Sequence, residues 1–281
     1  MGIDVHTLNF LKYARKKGEF GNTITIGRQE LHVNEILINS ILNIKQDYVH
    51  QAYCEQMLID YFGASNVDSI DNSSYENATY IHDMNKPLPL ELYQKYDTVI
   101  DGGTLEHVYN APRALENFSH LCKPGGQILH ILPANNFCGH GFWQISPELF
   151  FSLYSTNNGY GDTEVFVADL TDRWKWYQVR NPTDGKRVNI SSPTELWVMA
   201  RTVLKTADFS HSVVQQSDYI HEWEHKATPQ PLQAPAGLKG RLMKIPVVYK
   251  TLFPFYRRLV HARSNTRLTP NNPGISVVNL E

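Results

Sequence analysis

Residues 96–108 read YDTVIDGGTLEHV, and this stretch decides the fold. Three β-branched residues, Thr98 to Ile100, follow an aromatic residue and an aspartate, and the run stops at Asp101 and two glycines. A β-branched run bounded by such a turn signal predicts a buried strand, here over 96–101. The polar residues that follow then lie just beyond the end of a strand, where α/β proteins bind their ligands.

Strands and helices alternate on both sides of this stretch. Predicted strands cover 23–26, 66–71, 78–83, 96–101 and 127–133, and two closing strands cover 163–170 and 194–204. Predicted helices cover 4–17, 47–62, 111–122 and 146–155, and the segment KPGG at 123–126 predicts a turn. The alternation predicts an α/β fold: a doubly wound, mostly parallel seven-stranded sheet with helices on both faces.

Three of the predicted strands end in aspartate, at Asp71, Asp83 and Asp101. The carboxyl ends of parallel strands meet at one edge of the sheet, so these carboxylates are expected near one another. One carboxylate can accept both hydroxyl hydrogens of a ribose diol, which suits Asp71, and Asp83 is placed to accept from an adenine amino group. The alternative is that each aspartate only starts a turn, which is its commonest use.

The stretch at 96–108 and the later LCKPGGQILHILP at 121–133 together resemble class I S-adenosylmethionine-dependent methyltransferases. In that family the fourth strand leads into Leu-Glu-His and the next helix ends in Leu-x-Pro-Gly-Gly. HDMNKPLPLELYQKYD at 82–97 looks like the segment between the third and fourth strands, and the resemblance covers about residues 20–205. It implies S-adenosylmethionine as cofactor, bound by Asp71, Asn72, Asp83, Met84, Asn85, Asp101, Gly102 and Gly103.

The first loop of the sheet, in TITIGRQEL at 23–31, departs from the family pattern of Glu/Asp-x-Gly-x-Gly-x-Gly. Only Gly27 matches, and Asp71 lies 44 residues beyond it, whereas about 20 is usual. We predict that 28–46 is an inserted segment beside the cofactor. Gly27, Arg28 and Gln29 would complete the cofactor site, with Arg28 or Gln29 on the methionine carboxylate. Alternatively, Arg28 and Gln29 are surface residues of a loop.

Two histidines follow the fourth and fifth strands and are candidate general bases, the usual assistance for methyl transfer to oxygen. His140, in NNFCGHGFWQISP, is preferred over His107, and the alternative for both is a structural role. The predicted function is methyl transfer to a small molecule or a sugar or glycan. Two other functions stay open: a non-catalytic binding protein with this fold, or an NAD-dependent nucleotide-sugar enzyme. The predicted acceptor-binding residues are Glu106, Asn135, Phe142 and Gln144.

The chain of 281 residues, 42% apolar and 19% charged, predicts one domain over 1–206, with an N-terminal helix within 1–20, and a basic extension over 207–281. The segment 225–281 holds nine Lys and Arg and one acid, although the whole chain has a net charge of −2. Within it, 237–263 predicts peripheral contact with anionic lipids, or else a solvated or oligomer-packing segment. An acidic body without a recognition motif argues against nucleic acid.

Two further patterns concern metals and cysteines. HEWEH at 221–225 matches the zinc-protease pattern H-E-x-x-H, but Pro229 and Pro231 follow closely, so no metal is predicted. Three cysteines without a CxxC pair argue against a disulfide scaffold and fit a cytoplasmic protein. The oligomeric state cannot be predicted from these residues.

Overall fold

The structure is a computed structural model that describes residues 2–44, 51–211, 214–225, 250–255 and 266–280. Its strands are β1 (Gly2–Ile3), β2 (Gly21–Ile26), β3 (Glu30–Leu31), β4 (Ala64–Asp71), β5 (Tyr80–Ile81), β6 (Tyr96–Gly102), β7 (Cys122–Asn135), β8 (Tyr160–Asp169), β9 (Lys175–Val179), β10 (Leu196–Leu204) and β11 (Ile275–Asn279). Its helices are α1 (Val5–Arg15), α2 (Glu35–Leu42), α3 (Glu55–Phe62), α4 (Ala111–Leu121), α5 (Pro147–Leu153) and α6 (Ser217–His225). Short 3-10 turns cover Leu90–Leu92, Leu105–His107 and Thr156–Asn158.

One large sheet carries the order β11-β9-β8-β10-β7-β6-β2-β4-β5. The half from β5 to β7 is parallel throughout, as the sequence predicts. β10 runs antiparallel to both of its neighbours, and β9 pairs antiparallel with β8 and β11. The sheet is therefore mixed and has nine strands among the described residues, not the predicted seven. β9 and β11 are five residues each, and such short strands depend on cross-strand pairs that a sequence does not display.

Helices cover both faces of the sheet, as predicted. On one face Phe118 of α4 and Phe150 of α5 join an apolar cluster that includes Val99 of β6. On the other, Phe10 of α1 joins a second cluster that includes Ile100, the next residue along the same strand. Successive side chains of a strand point to opposite faces, so a run of apolar residues serves both clusters. Polar ligand groups are thus left to the ends of the strands.

Several predicted boundaries differ in the structure. The strand predicted over 78–83 covers only Tyr80–Ile81. The helix predicted over 47–62 begins at Glu55, and 45–50 lies outside the described residues. The backbone just before it is engaged elsewhere, since Cys54 N donates to Gln29 O and Leu31 N donates to Ala52 O. The segment 28–46, predicted to be an insertion, contains β3 and α2.

The predicted KPGG turn lies inside the hydrogen-bonded range of β7. Tyr96 of β6 is opposite Cys122, yet Thr98 is already opposite Gln127, so residues 123–126 form a wide bulge rather than a free turn. Lys123 Nζ lies 2.9 Å from Asp97 Oδ1 and ties the bulge to β6. α4 ends at Leu121, which agrees with the stop signal read from the sequence.

The order of the parallel strands reverses at β2. The chain passes from β2 outward to β4 and β5, then returns to β6 on the other side of β2. The crevice between β2 and β6, at the carboxyl ends of the strands, is the place where open α/β sheets bind ligands. None of the helices in the described ranges has the length and apolar character for a membrane crossing. Most of 237–263, the predicted lipid-contact stretch, lies outside those ranges.

Candidate functional site

The floor of the crevice is made by Gln29 and the glycines on either side of it. Gly27 follows β2 with a φ of 71° and donates its N–H to Ile70 O at 2.8 Å, and Gly103 follows β6 with a φ of 91°. The Gln29 side chain is fully buried, and its Nε2 donates to Ile26 O at 2.9 Å. A Cβ added to Gly102 would lie 2.6 Å from Gln29 Oε1. Gln29 is therefore a crevice residue and not, as in the alternative interpretation, a surface one.

Gln29 leaves one polar atom without a partner. Its Oε1 is buried and accepts no hydrogen bond from the described residues. Buried polar atoms are nearly always paired, and an unpaired one costs about 1–3 kcal/mol. Gln29 Oε1 faces Gly102 at the end of β6 and is suited to a ligand that donates a hydrogen bond.

Arg28 is held by three neighbours beside the crevice. Its Nε donates to Glu55 Oε1 at 2.5 Å, and one terminal nitrogen donates to Glu76 O at 2.9 Å. The guanidinium lies 3.9 Å from the centre of the Tyr53 ring. Arg28 thereby joins the first loop to the start of α3, and only part of its hydrogen-bonding capacity is left for a ligand.

The two aspartates assigned to the nucleoside both start local turns. Asp71 Oδ1 accepts from Ser73 N at 2.9 Å at the end of β4, with Asn72 exposed between them. Asp83 Oδ1 accepts from Asn85 N at 3.0 Å and Asn85 Nδ2 at 2.8 Å. Both hydrogen bonds lower the pKa of Asp83, and the one from the Asn85 side chain has the larger effect. The Asp83 carboxyl is thereby kept ionised. The turn geometry is the alternative read from the sequence, and it also fixes both carboxylates at the sheet edge.

The residues after Asp83 divide between core and surface. Met84 is 5% exposed and belongs to the apolar cluster under α4, where its carbonyl accepts from Asn117 Nδ2 at 3.2 Å. Asn85 Oδ1 accepts from Asn110 N at 2.8 Å, at the start of α4. The structure therefore uses Met84 for packing and Asn85 to join two loops.

Asp101, at the end of β6, is buried under the site rather than exposed in it. Its Oδ1 accepts from Thr104 N at 3.1 Å and Leu105 N at 3.2 Å, which holds the 3-10 turn Leu105–His107. Its Oδ2 lies 2.9 Å from His130 Nδ1, and His130 Nε2 lies 2.7 Å from Tyr154 Oη. His130 and Tyr154 were not among the residues predicted from the sequence, where the one signal was a lone histidine in the apolar run QILHILP.

The turn that Asp101 holds presents Glu106 and His107 to His140. Glu106 Oε1 lies 3.5 Å from His140 Nε2 and 3.9 Å from His107 Nε2, and the two imidazole rings are 4.9 Å apart at their centroids. The Glu106 side chain is fully buried, and neither of its oxygens has a hydrogen-bond partner among the described residues. Both histidine side chains are about half exposed. The fold thus brings together three predicted site residues that lie in two separate loops.

Burial sets the protonation of this cluster. It raises the pKa of Glu106 to about 8, with the nearby Asp101 carboxylate as a second cause. At pH 7 the carboxyl is therefore largely protonated. Burial, and next the neighbouring His140, lower the pKa of His107, which favours its neutral form.

The loop with His140 is fastened to the backbone of Glu106. Phe142 N donates to Glu106 O at 2.6 Å, and Trp143 Nε1 donates to Val108 O at 2.9 Å. Gly141 adopts a φ of 66°, and a Cβ there would lie 2.7 Å from Glu106 O. Only glycine allows both the left-handed backbone and this close approach. The contact fixes His140 over the Glu106 carboxyl.

An aromatic surface and a cavity adjoin the cluster. Phe142 is 66% exposed, and its ring centroid lies 6.2 Å from that of Tyr109, which is 75% exposed. A cavity of about 320 Å³ opens on the other side of the loop, with Asn135 and Gln144 in its wall together with Glu148. Its size is within the range of small-molecule sites. Of the four predicted acceptor residues, Asn135 and Gln144 line this cavity, whereas Glu106 and Phe142 do not.

HEWEH lies on α6, and the helix places its two histidines together. The His221 and His225 rings stack with centroids 4.2 Å apart, and His225 Nδ1 lies 3.0 Å from His221 O. Among the described residues, the one group of three potential ligands with its ligand atoms within 4.8 Å is Glu106, His107 and His140.

Several solved structures are similar to this chain at low sequence identity. A SAM-dependent methyltransferase from Thermotoga maritima matches 72% of this chain over 92% of its own length, at 16% identity and a TM-score of 0.37. The N-methyltransferase NodS from Bradyrhizobium japonicum WM9 matches 72% over 94%, at 13% identity and 0.39. A structure described as a Zn-dependent alcohol dehydrogenase from Rhodobacter sphaeroides matches 48% over 49%, at 16% identity and 0.29. No protein-family model and no curated protein matches the chain.

At these identities and TM-scores the likeness concerns the fold alone. Function is therefore inferred from the residues of the site.

Proposed function

We propose that this protein is an S-adenosylmethionine-dependent methyltransferase that methylates an oxygen of a small molecule or a sugar. The observation that carries the proposal is the cluster of Glu106, His107 and His140 at the ends of β6 and β7. It lies beside the crevice where the strand order reverses, the place for a nucleotide-type cofactor in such sheets. The motif at 96–108 that resembles the methyltransferases supplies two of the three residues.

The crevice residues fit the proposed cofactor. Asp71 would hold the ribose and Asp83 the adenine, with Asn72 and Asn85 beside them. The unpaired Gln29 Oε1 suits the ammonium group at the methionine end, and Arg28 would bind its carboxylate. When bound, S-adenosylmethionine would supply an electrophilic methyl group for the acceptor oxygen, with its sulfur as the leaving group.

The protein's own contribution is alignment and removal of a proton. Holding the acceptor oxygen in line accounts for much of the acceleration in a reaction of this type. His140 Nε2 takes the proton of the acceptor hydroxyl, and Glu106 Oε1, 3.5 Å away, is placed beside the imidazolium that forms. His107 is the alternative proton acceptor, at 3.9 Å from the same carboxyl oxygen.

The acceptor is proposed to bind between the exposed aromatic side chains and the cavity. Phe142 and Tyr109 offer apolar faces on which a sugar ring can stack. Asn135 and Gln144 offer amide groups in the cavity wall. Such a mixture of aromatic faces and a few polar groups is typical of small-molecule sites. A cytoplasmic location and lipid contact through 237–263 stay predictions.

Two measurements test the proposal. Thermal unfolding is followed with S-adenosylmethionine, S-adenosylhomocysteine and NAD, and stabilisation by the first two but not by NAD is expected. Formation of S-adenosylhomocysteine is then measured across a panel of sugars and small hydroxyl compounds. Stabilisation by NAD alone would contradict the proposal and favour a nucleotide-sugar enzyme.

A non-catalytic binding protein is the second candidate, because the buried Gln29 side chain fills the floor that a glycine loop usually leaves open. For such a binding protein we expect that S-adenosylmethionine stabilises the fold but that no S-adenosylhomocysteine forms with any acceptor of the panel. The same two measurements therefore separate the candidates.

A further inference from the structure

We propose that Glu106, His107 and His140 form a binding site for a divalent transition-metal ion, zinc above all, with positions left open toward the acceptor side. This goes beyond the proposed methyl transfer, and the binding of the ion can be measured without it. It also departs from the prediction that the chain holds no metal. The sequence did not indicate this metal site because His107 and His140 lie 33 residues apart, and only the folded loops bring them together.

The geometry of the three donors is close to that of a zinc centre. Two ligands on one tetrahedral zinc ion, with bonds of about 2.1 Å, lie roughly 3.4 Å apart. Glu106 Oε1 and His140 Nε2 are already 3.5 Å apart, and His107 Nε2 is 3.9 Å from the same oxygen. All three ligand atoms lie within 4.8 Å of one another. Small rotations of the two imidazoles close the remaining gap, and both side chains are about half exposed.

The Glu106 carboxyl is an independent sign of a missing partner. It is completely buried, and neither oxygen accepts or donates a hydrogen bond within the described part of the chain. Its backbone is held by Phe142 N, so the side chain stays under the two histidines. A buried carboxyl without partners is costly, and buried charges are normally paired or bound to a metal. An ion between the three residues supplies that partner.

The types of ligand atom and their exposure indicate which ion binds here and whether its site is open or closed. Two imidazoles with one carboxylate suit zinc and related transition metals better than calcium or magnesium, which prefer oxygen ligands. Structural zinc sites are closed by four protein ligands, whereas catalytic ones keep a position for water or substrate. The half-exposed imidazoles leave such a position on the solvent side.

A metal at this position changes how the acceptor loses its proton. The ion lowers the pKa of a hydroxyl bound to it, so that the proton passes to bulk water. The imidazole nitrogens are then occupied by the metal and take up no proton. His140 as general base therefore describes the metal-free protein, and a metal-activated acceptor hydroxyl describes the loaded one.

Calorimetric titration of the full-length protein with Zn²⁺, after treatment with a chelator, tests the site directly. One ion per chain is expected. Affinity should fall at least about tenfold in His140→Ala and in Glu106→Gln. Glu106→Gln keeps the size of the side chain and makes the buried group permanently neutral, and thermal unfolding shows that each variant is folded.

The matched control is His225→Ala, which removes a half of the HEWEH pair on α6 and leaves the cluster intact. Its zinc affinity should equal that of the parent protein. Zinc binding that survives His140→Ala and is lost in His225→Ala would overturn the proposal, as would the absence of zinc binding to the parent. Stabilisation by S-adenosylmethionine is measured separately, so failure of the metal site and failure of the methyltransferase proposal are distinguishable.

Discussion

Gln29 takes the space that a side chain on Gly102 would need: a Cβ on Gly102 would lie 2.6 Å from Gln29 Oε1. Gln29 lies in the loop after β2, and Gly102 is the last residue of the neighbouring strand β6. In the usual glycine loop the small residues belong to the loop that follows the first strand. Here the small residue is Gly102, which belongs to the neighbouring strand β6. The bulk of Gln29 in the loop after β2 is thus accommodated by a glycine on β6.

This contact predicts that Gly102→Ala destabilises the protein by about 1–3 kcal/mol, because the added methyl group has no room. Gln29→Ala removes the obstacle, so the double variant should recover most of the loss. Denaturant unfolding of the parent, both single variants and the double variant gives the coupling. Fully additive losses would show that the two side chains do not compete for space.

Arg28→Ala is expected to weaken S-adenosylmethionine binding by roughly tenfold, since a charge-assisted bond to the methionine carboxylate is lost. Arg28→Lys keeps the charge but not the stacking on Tyr53, and an intermediate affinity is expected. Calorimetry with the cofactor measures both. An unchanged affinity in Arg28→Ala would leave Arg28 with only its structural ties to Glu55 and Glu76.

His140→Ala is expected to lower the rate of methyl transfer by about 10²–10⁴-fold, the usual contribution of a general base. The loss should appear in kcat, and the affinity for S-adenosylmethionine should not change. His221→Ala, on α6 and outside the cluster of Glu106, His107 and His140, serves as a control and should retain the parent rate. A retained rate in His140→Ala would transfer the proton-accepting role to His107.

Asp101 is expected to act on stability and on the shape of the site at once. Asp101→Asn places an amide NH2 group opposite His130 Nδ1, so His130 must change tautomer or lose this hydrogen bond, and a loss of about 2–3 kcal/mol is expected. Tyr154→Phe, which removes only the partner of His130 Nε2, should cost about 1 kcal/mol. Denaturant unfolding compares them, and an equal cost would indicate that the turn does not depend on the Asp101 charge.

Burial lowers the pKa of His211 to about 4, and its Nε2 lies 2.7 Å from Tyr160 Oη. The unfolded chain therefore binds this proton from pH 6.5 downward, whereas the folded protein binds it only near pH 4. The corresponding stability is present above pH 6.5 and is lost as the pH falls to about 4. His211→Gln removes the titrating group, so its denaturant midpoint should change less between pH 7.5 and 5 than that of the parent. An identical change in both proteins would contradict the assignment.

The parallel half of the sheet could be predicted because its strands are β-branched runs that stop at aspartate or glycine, as at Asp71 and Asp101. The start of α5 could also be predicted from the sequence. Ser146 Oγ accepts from Glu148 N at 3.3 Å, and Pro147 occupies the first helical position. Local interactions decide such features, and the sequence displays them.

The arrangement of the site was harder to predict because it depends on contacts between distant segments. Glu106 and His140 were both singled out as site residues, but nothing in the sequence showed that Gly141 lets the second loop close over the Glu106 carbonyl. The burial of Asp101 was missed for the same reason, since it depends on His130 in the next strand. Pairing across the fold, rather than local propensity, decides these positions.

The last strand of the sheet has a consequence for how the protein is made. β9 lies between β8 and β11, and 95 residues separate Val179 from Ile275. During synthesis on the ribosome β9 therefore emerges long before its outer neighbour, and one row of its backbone groups has no strand to pair with until β11 has been made. An open edge of this kind can pair with another nascent chain. Misassembly and chaperone binding are therefore expected in the interval before β11 is made.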